Sequence, residues 1–287
     1  MSTVAITRLT SHDAVTFGGV VRSEFIKART TNAVRGLIIA ALICQIVFPI
    51  LVLLLLRQTF AGADTSYVTQ TFHGVGATGA SLISLLYGVL GTMVVTADYS
   101  CGVINTSFVA AGSKARLAAA KAVVIVAIVA VCAFVGALCA ILLSGLFATV
   151  AMDAGAFPFT DARTWFPLIS MPLACVLLAL IGYGLGFILR SSLGAIITLC
   201  LIIVFGSMIM PMIALSQQTW AEWICALSPS VVLDLTANYQ PSGDPQLSRM
   251  QLDEWWMNAL AATVWTAIAV AAGYALFRSR PLGAGTR

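Results

Sequence analysis

The feature that most constrains this chain is a series of long apolar segments, of which Ala122 to Met152 is the longest and contains no charged residue. Apolar residues make up 60% of the sequence and charged residues 9%, whereas soluble domains carry about 25% charged residues. A helix needs about 20 apolar residues to cross the hydrocarbon core of a bilayer. The sequence therefore predicts an all-α polytopic membrane protein in which residues 1–287 form a single transmembrane domain. Six spans are predicted, at residues 36–56, 77–97, 122–152, 167–189, 193–215 and 257–277.

The basic residues are unevenly distributed among the segments that connect these spans. Lys and Arg near span ends favour the cytoplasmic side. With the amino terminus inside the cell, twelve of the fifteen basic residues lie on that side, and only Arg57, Arg163 and Arg249 lie outside. The sequence thus predicts a multi-pass protein with both termini cytoplasmic and residues 216–256 extracellular.

The segment before the first span, residues 15–35, combines apolar and basic residues. Four apolar residues recur at helical spacing: Phe17, Val21, Phe25 and Ala28. This pattern is typical of a basic amphipathic helix on the membrane surface. We therefore expect an interfacial helix, and the alternative is a cytosolic tail that only sets topology. The residues assigned to this helix are Arg22, Glu24, Phe25, Lys27 and Arg29.

The segment between the second and third spans, residues 98–121, is longer than a turn between two membrane helices needs to be. It carries Lys114, Arg116 and Lys121. The charges alone leave two interpretations open. The segment is either a cytoplasmic docking element for another protein or a basic loop that only fixes topology.

The last outer segment, residues 216–256, has tryptophans at both of its ends: Trp220, Trp223, Trp255 and Trp256. Tryptophan favours the membrane–water interface. Ser228-Pro229 is a good helix start, since Ser caps helices and Pro suits the first helical position. We predict two short helices, at residues 220–227 and 229–238, that dip into the outer interface. Ordinary interfacial anchoring by these aromatic residues is the alternative.

The sequence offers no site for catalysis, a metal or a nucleotide. It lacks the GxxxxGK[ST] phosphate-binding motif, a CxxC pair and a convincing nucleophile–base pair. The GYGLG sequence, with Gly182 at its start, lies inside the fourth predicted span. Close packing of helices explains small residues there better than a dinucleotide does. The small residues of the second and fourth spans are expected to pack either within the chain or across a dimer.

The interiors of the predicted spans also lack Asp, Glu, Lys and Arg. Charges at such positions cost about 2.5–3.5 kcal/mol and are kept mostly for ion or proton coupling. Their absence favours a pathway whose energy comes from a partner. An ion-coupled or passive carrier and a non-transport membrane protein are the alternatives.

Two short motifs resemble those of the membrane (permease) subunit of type-2 ABC exporters, in the six-span form found in bacteria. The first is R-S-E-F-I-K-A-R, which starts at Arg22 and resembles the family's R-S-E-x-x-K-x-R helix before the first span. The second is Asp98-x-x-x-Gly102-Val103-Ile104, which resembles the family's E-x-x-x-G-T-[IL] after the second span. Asp98 replaces the usual Glu, and Val103 replaces the usual Thr.

The resemblance implies the fold, the partners and the function. It implies an ABC-2-type membrane domain with an interfacial amino-terminal helix and short re-entrant helices before the last span. It also implies that a separate ATPase subunit binds ATP and Mg²⁺, so that this chain holds no cofactor and is not itself an enzyme. The expected partners are that ATPase, a second permease chain and membrane lipids, without nucleic acid.

The implied activity is export of a hydrophobic or amphipathic substrate, such as a drug, an antimicrobial peptide or a lipid-like molecule, across the bacterial plasma membrane. Substrate would pass between the paired permeases along the first, second and fifth spans. Residues 98–121 would be the loop that docks on the ATPase. Its assigned residues are Asp98, Gly102, Val103, Ile104, Asn105, Thr106, Ser107, Lys114 and Arg116.

Overall fold

The computed structural model describes residues 16–60, 65–100, 112–151, 157–216, 218–238, 252 and 254–279. Within these ranges the chain is helical, with a 3-10 turn at Val75–Ala77 and a π-helical segment at Leu201–Phe205. The α-helices are α1 (Phe17–Thr30), α2 (Asn32–Phe60), α3 (Thr65–Gly74), α4 (Ala80–Ser100), α5 (Lys114–Ala151), α6 (Ala162–Trp165), α7 (Pro167–Leu189), α8 (Ser192–Cys200), α9 (Gly206–Ala214), α10 (Thr219–Leu227), α11 (Pro229–Asn238) and α12 (Trp255–Ser279).

Among the described residues, six helical stretches are long and apolar enough to cross a membrane, and the chain is a multi-pass membrane protein, as predicted. They are built on α2, α4, α5, α7, the continuous stretch from α8 to α9, and α12. The helix that forms the third stretch begins at Lys114, whereas the sequence predicted a start at residue 122. The reason is that the residues just before 122 are mostly alanine and other strong helix formers, so the helix continues beyond its apolar part.

Helix α7 lies at the centre of the bundle, and 67% of the most apolar 18-residue segment of its stretch is buried. On one side it packs so closely against α4 that the backbones of the two helices are in contact. A Cβ atom on Gly91 would lie 1.9 Å from the carbonyl oxygen of Ala179, and one on Gly182 would lie 2.1 Å from that of Gly88. Small residues allow this close approach of helices in a membrane. The small residues of the second and fourth spans therefore pack within the chain.

On its other side α7 packs against α12 in the same way. A Cβ atom on Gly184 would lie 2.4 Å from the carbonyl oxygen of Ala269, and one on Gly273 would lie 2.6 Å from that of Gly184. Helices α4, α7 and α12 thus form a tightly packed unit. Burial in the chain is low in three of the membrane-length stretches. In the most apolar 18-residue segment of each, 17% of the α8–α9 stretch is buried, and 22% of the stretches built on α2 and on α12.

The bundle has two ends with different chemistry. The charged end carries α1, the end of α4, the start of α5, the α7–α8 turn and the end of α12. At that turn Arg190 adopts a left-handed conformation, with φ of 53°, and its guanidinium group lies 5.4 Å from the ring centre of Tyr99. The tryptophan end carries α3, α6, α10, α11 and the start of α12.

The tryptophan end contains both expected and unexpected helices. Helices α10 and α11 lie close to the two short helices predicted at residues 220–227 and 229–238. Ser228 lies just before α11 and accepts a hydrogen bond from the amide of Val231, as a capping residue does. Helix α3 was not predicted, because its sequence TSYVTQTFHG is polar and its last residue is glycine. It is attached through Phe72, whose ring lies 5.0 Å from that of Phe157.

Candidate docking site at the charged end

A buried group of charged side chains joins three helices at the charged end. The ammonium group of Lys121 on α5 donates a hydrogen bond to Oε2 of Glu24 on α1 at 2.6 Å. The same Nζ atom lies 2.6 Å from Oδ2 of Asp98, near the end of α4. The side chains of Lys121, Glu24 and Asp98 are 3%, 4% and 13% exposed. We call these three residues and Lys27, which binds Glu24, the charge network.

The charge network is nearly neutral as a whole, because two carboxylates face two ammonium groups. Lys27 Nζ donates to Oε1 of Glu24 at 2.7 Å, and its side chain is 38% exposed. Lys121 also reaches the carbonyl oxygen of Val94 at 3.4 Å. Buried charges are tolerated when they are paired and hydrogen-bonded. Glu24 meets that condition, whereas the buried Oδ2 atom of Asp98 is paired with Lys121 but makes no hydrogen bond with any described residue.

Burial and pairing act in opposite directions on Glu24. Burial alone would raise the pKa of this carboxyl group. The nearby ammonium groups of Lys121 and Lys27 outweigh burial and hold the pKa of Glu24 below its ordinary value. Glu24 is therefore ionised at neutral pH and binds α1 to the bundle through charge.

Helix α1 packs on the bundle through a face that the sequence did not assign. Its buried residues are Val20, Glu24 and Ala28, which recur every four residues. Phe17 and Phe25, predicted on the apolar face that meets the membrane surface, lie outside this packed face and are each 44% exposed. The ion pair with Lys121 draws Glu24 inward and thereby helps to set which face packs on the bundle. Sequence reasoning missed this because Lys121 is 97 residues away from Glu24.

Lys114, predicted to contact an ATPase, has another contact in this structure. Its ammonium group donates to the carbonyl oxygens of Phe277 at 3.2 Å and Arg278 at 3.0 Å. It also lies 5.6 Å from the ring centre of Phe277. A cation placed at the end of a helix satisfies its last carbonyl groups and its dipole. Lys114 thus joins α5 to α12, whereas Arg116 in the first turn of α5 is exposed.

Six of the predicted docking residues, Gly102, Val103, Ile104, Asn105, Thr106 and Ser107, lie outside the described residues. The helices on either side of them end at Ser100 and begin at Lys114. Asp98 and Arg116 are therefore at the two sides of this segment, and α1 is bound beside it through Lys121. The predicted docking loop of residues 98–121 is helical at both of its ends, up to Ser100 and from Lys114 onward.

The four predicted interfacial tryptophans occupy two environments. Trp220, Trp223 and Trp256 are 59%, 64% and 58% exposed. Trp255 instead donates from its indole nitrogen to the carbonyl oxygen of Thr236 at 2.9 Å. Its ring also meets that of Phe166 edge-on at 5.2 Å. Trp255 therefore holds α11 and the start of α7 against α12.

A fifth tryptophan, Trp265, was not among the predicted residues and has a similar role. Its indole nitrogen donates to the carbonyl oxygen of Leu227 at 2.9 Å, which fixes the end of α10 to α12. Its position inside an apolar run gave no sign of this contact.

Among the described residues no group of three or more His, Cys, Asp or Glu side chains is placed to hold a metal ion. The charge network is thus the principal assembly of ionised groups that the described part of the chain contains at the charged end. No protein-family model matches the chain, and no curated protein matches its sequence.

Proposed function

We propose that this chain is the permease subunit of an ATP-driven exporter, which moves a hydrophobic or amphipathic substrate out across the bacterial plasma membrane. A separate ATPase subunit supplies the energy. The chain contains the transmembrane pathway and the surface on which the ATPase docks.

The observation that carries the proposal is the attachment of α1 to the ends of α4 and α5 by the charge network. A motor that pushes on a cytoplasmic segment moves a membrane domain only if that segment is joined firmly to the spans. Lys121 joins α1, α4 and α5 through contacts of 2.6 Å, and Lys114 joins α5 to α12. A force applied at residues 101–111 would thus reach several spans at once.

In this proposal residues 102–107 enter a groove of the ATPase. Val103 and Ile104 supply the apolar contact, and Asn105, Thr106 and Ser107 supply the polar edge. Arg116 lies at the far side of the contact. Asp98 and Lys114 support the segment from the helices beside it, which assigns them an indirect role.

The experiment that tests docking is Ile104→Asp, with Ala119→Asp as the matched control on the exposed side of α5. A small docking surface depends on a few anchors, and loss of one costs about 2 kcal/mol or more. Ile104→Asp should therefore weaken retention of the ATPase by roughly thirtyfold, because it buries an unpaired carboxylate. Ala119→Asp should retain it fully. A well-expressed Ile104→Asp variant with full ATPase retention and full stimulation of ATP hydrolysis would contradict docking. It would support the alternative that residues 98–121 are a basic loop that only fixes topology.

The proposal also includes a second permease chain, identical or related. It is supported by the low burial of the stretches built on α8–α9, α2 and α12, of whose most apolar segments 17%, 22% and 22% are buried. Many of their large apolar side chains are exposed, for example Leu55 at 71% and Met212 at 71%. Crosslinking in membranes should give a dimer, and a monomer that still transports would refute pairing.

An ion-coupled or passive carrier is the second candidate, since the structure places a buried Asp98–Lys121 pair within membrane-length helices. The two candidates differ in their energy source. Transport by reconstituted vesicles that needs ATP and the ATPase, but no ion gradient, supports the exporter. Transport driven by a proton or sodium gradient without ATP supports the carrier.

A further inference from the structure

The charge network changes which charges α1 presents to its surroundings. In the sequence of α1, FGGVVRSEFIKART, Glu24 is the one acid beside three basic residues. The structure turns Glu24 inward, where Lys121 and Lys27 pair with it. The exposed part of the helix is therefore basic, without an acid of its own.

The exposed face of α1 combines arginines with apolar side chains. Arg22 and Arg29 are exposed and lie seven residues apart, which places them on the same side of the helix. Between them, Phe25 and Ile26 are 44% and 51% exposed. We call these four residues the basic stripe.

The position of α1 places the basic stripe close to the bilayer surface. α1 ends at Thr30, and the membrane-length helix α2 begins at Asn32, so that only Thr31 separates them. α1 is also held against the ends of α4 and α5 by the charge network. It therefore cannot move far from the membrane surface while the ion pairs persist.

We propose that the basic stripe is a binding site for anionic phospholipids. The guanidinium groups of Arg22 and Arg29 pair with lipid phosphates, for which the planar fork of arginine is well suited. Phe25 and Ile26 insert among the neighbouring acyl chains, as the apolar residues of interfacial helices do. Burial of Glu24 is the condition for this binding, because an exposed acid would repel the headgroups.

This inference does not rest on the transport function, and its test uses lipid alone. The full chain is placed in nanodiscs of phosphatidylcholine with increasing phosphatidylglycerol. An environment-sensitive fluorophore is attached at Ser23→Cys, beside the stripe, in a variant without other cysteines. Each basic residue near an anionic surface contributes about 1 kcal/mol, or about fivefold. Arg22→Gln and Arg29→Gln should each raise the phosphatidylglycerol fraction needed for the half-maximal signal by about fivefold, and their combination should nearly abolish the response.

Two further variants make the test specific. Ile26→Glu puts an acid one turn from Arg22, and it should reduce the response as strongly as loss of one arginine. Arg116→Gln removes an exposed arginine from another helix and should leave the response unchanged. About 0.5 M salt should weaken the wild-type response, because it screens exposed charges.

Three results would overturn the proposal. In the first, the wild-type chain responds equally to phosphatidylcholine alone. In the second, Arg116→Gln shifts the midpoint as much as Arg22→Gln. In the third, the double arginine variant keeps the lipid response but loses a protein partner, which makes the stripe a protein-docking surface. All four side chains are exposed, so the thermal unfolding of the variants should match that of the wild type.

Discussion

Replacement of Lys121 by methionine is the sharpest perturbation of this structure. It keeps most of the side-chain volume but removes the one ammonium group that contacts both Glu24 and Asp98. The two carboxylates are then left in a buried site with less positive charge. Breaking a buried ion pair by removing one partner costs about 3–5 kcal/mol.

The structure places the expected cost near the lower end of that range. Glu24 keeps its 2.7 Å contact with Lys27, and the Asp98 side chain is 13% exposed, so that water reaches part of it, although its Oδ2 atom is buried. We therefore expect Lys121→Met to lower the free energy of unfolding by about 3 kcal/mol. Lys27→Met is the matched control. It removes a half-exposed ammonium from the same carboxylate and should cost less than about 1 kcal/mol.

The assay is equilibrium unfolding of the purified chain in mixed micelles, monitored by circular dichroism. A triple variant, Lys121→Met with Glu24→Gln and Asp98→Asn, should regain most of the stability, because it removes the uncompensated charges. A Lys121→Met variant within about 0.5 kcal/mol of the wild type, with no gain in the triple variant, would refute the reasoning that the network binds α1 to the bundle.

Three other predictions follow from the structure. Pairing holds the pKa of Glu24 below its ordinary value of 4.5. The contribution of Glu24 to stability should therefore be complete above that pH and be lost as the pH falls through the lower folded-state pKa. Glu24→Gln should lack this acid-dependent loss of stability, and an unchanged acid profile in the variant would contradict the assignment. Gly182→Ala places a Cβ atom 2.1 Å from the carbonyl oxygen of Gly88 and should destabilise the chain by about 1–3 kcal/mol. The control Gly36→Ala, whose Cβ atom meets nothing within 4 Å, should not destabilise it. Equal unfolding curves for the two variants would disprove the close packing of α4 and α7. A single cysteine at Ala110 should be labelled by an impermeant reagent only after cells are opened, and labelling in intact cells would invert the predicted topology.

The helical architecture could be predicted from the sequence because hydropathy depends on local composition. The fourth span was predicted at residues 167–189, and α7 has those bounds. The short helices α10 and α11 were also predictable, since Ser228-Pro229 marks a helix start by local chemistry. Helix α3 was not predicted because its polar sequence has no strong local pattern.

The candidate site was harder to predict, since it depends on contacts between distant parts of the chain. Glu24 and Arg22 were both assigned to an interfacial helix, but nothing local distinguishes the buried acid from the exposed arginine. Lys121 was assigned to a loop, and its contacts with Glu24 and Asp98 could not be found from spacing. Lys114 was assigned to the docking loop, and the contact of its ammonium with the last carbonyl groups of α12 was not predicted. Charge sorting along the chain predicts the side of the membrane but not which charges pair.

The measurement that tests the central proposal most directly is site-specific photocrosslinking from residue 104 in native membranes. A photoreactive amino acid replaces Ile104. In a separate control variant the same amino acid replaces Ala119, on the exposed side of α5. After irradiation the crosslinked product is purified and identified by mass spectrometry. The expected product joins residue 104 to a nucleotide-binding ATPase subunit, with little of it from residue 119. Crosslinks from residue 104 only to lipid or to the chain itself, under conditions in which transport persists, would contradict the proposal.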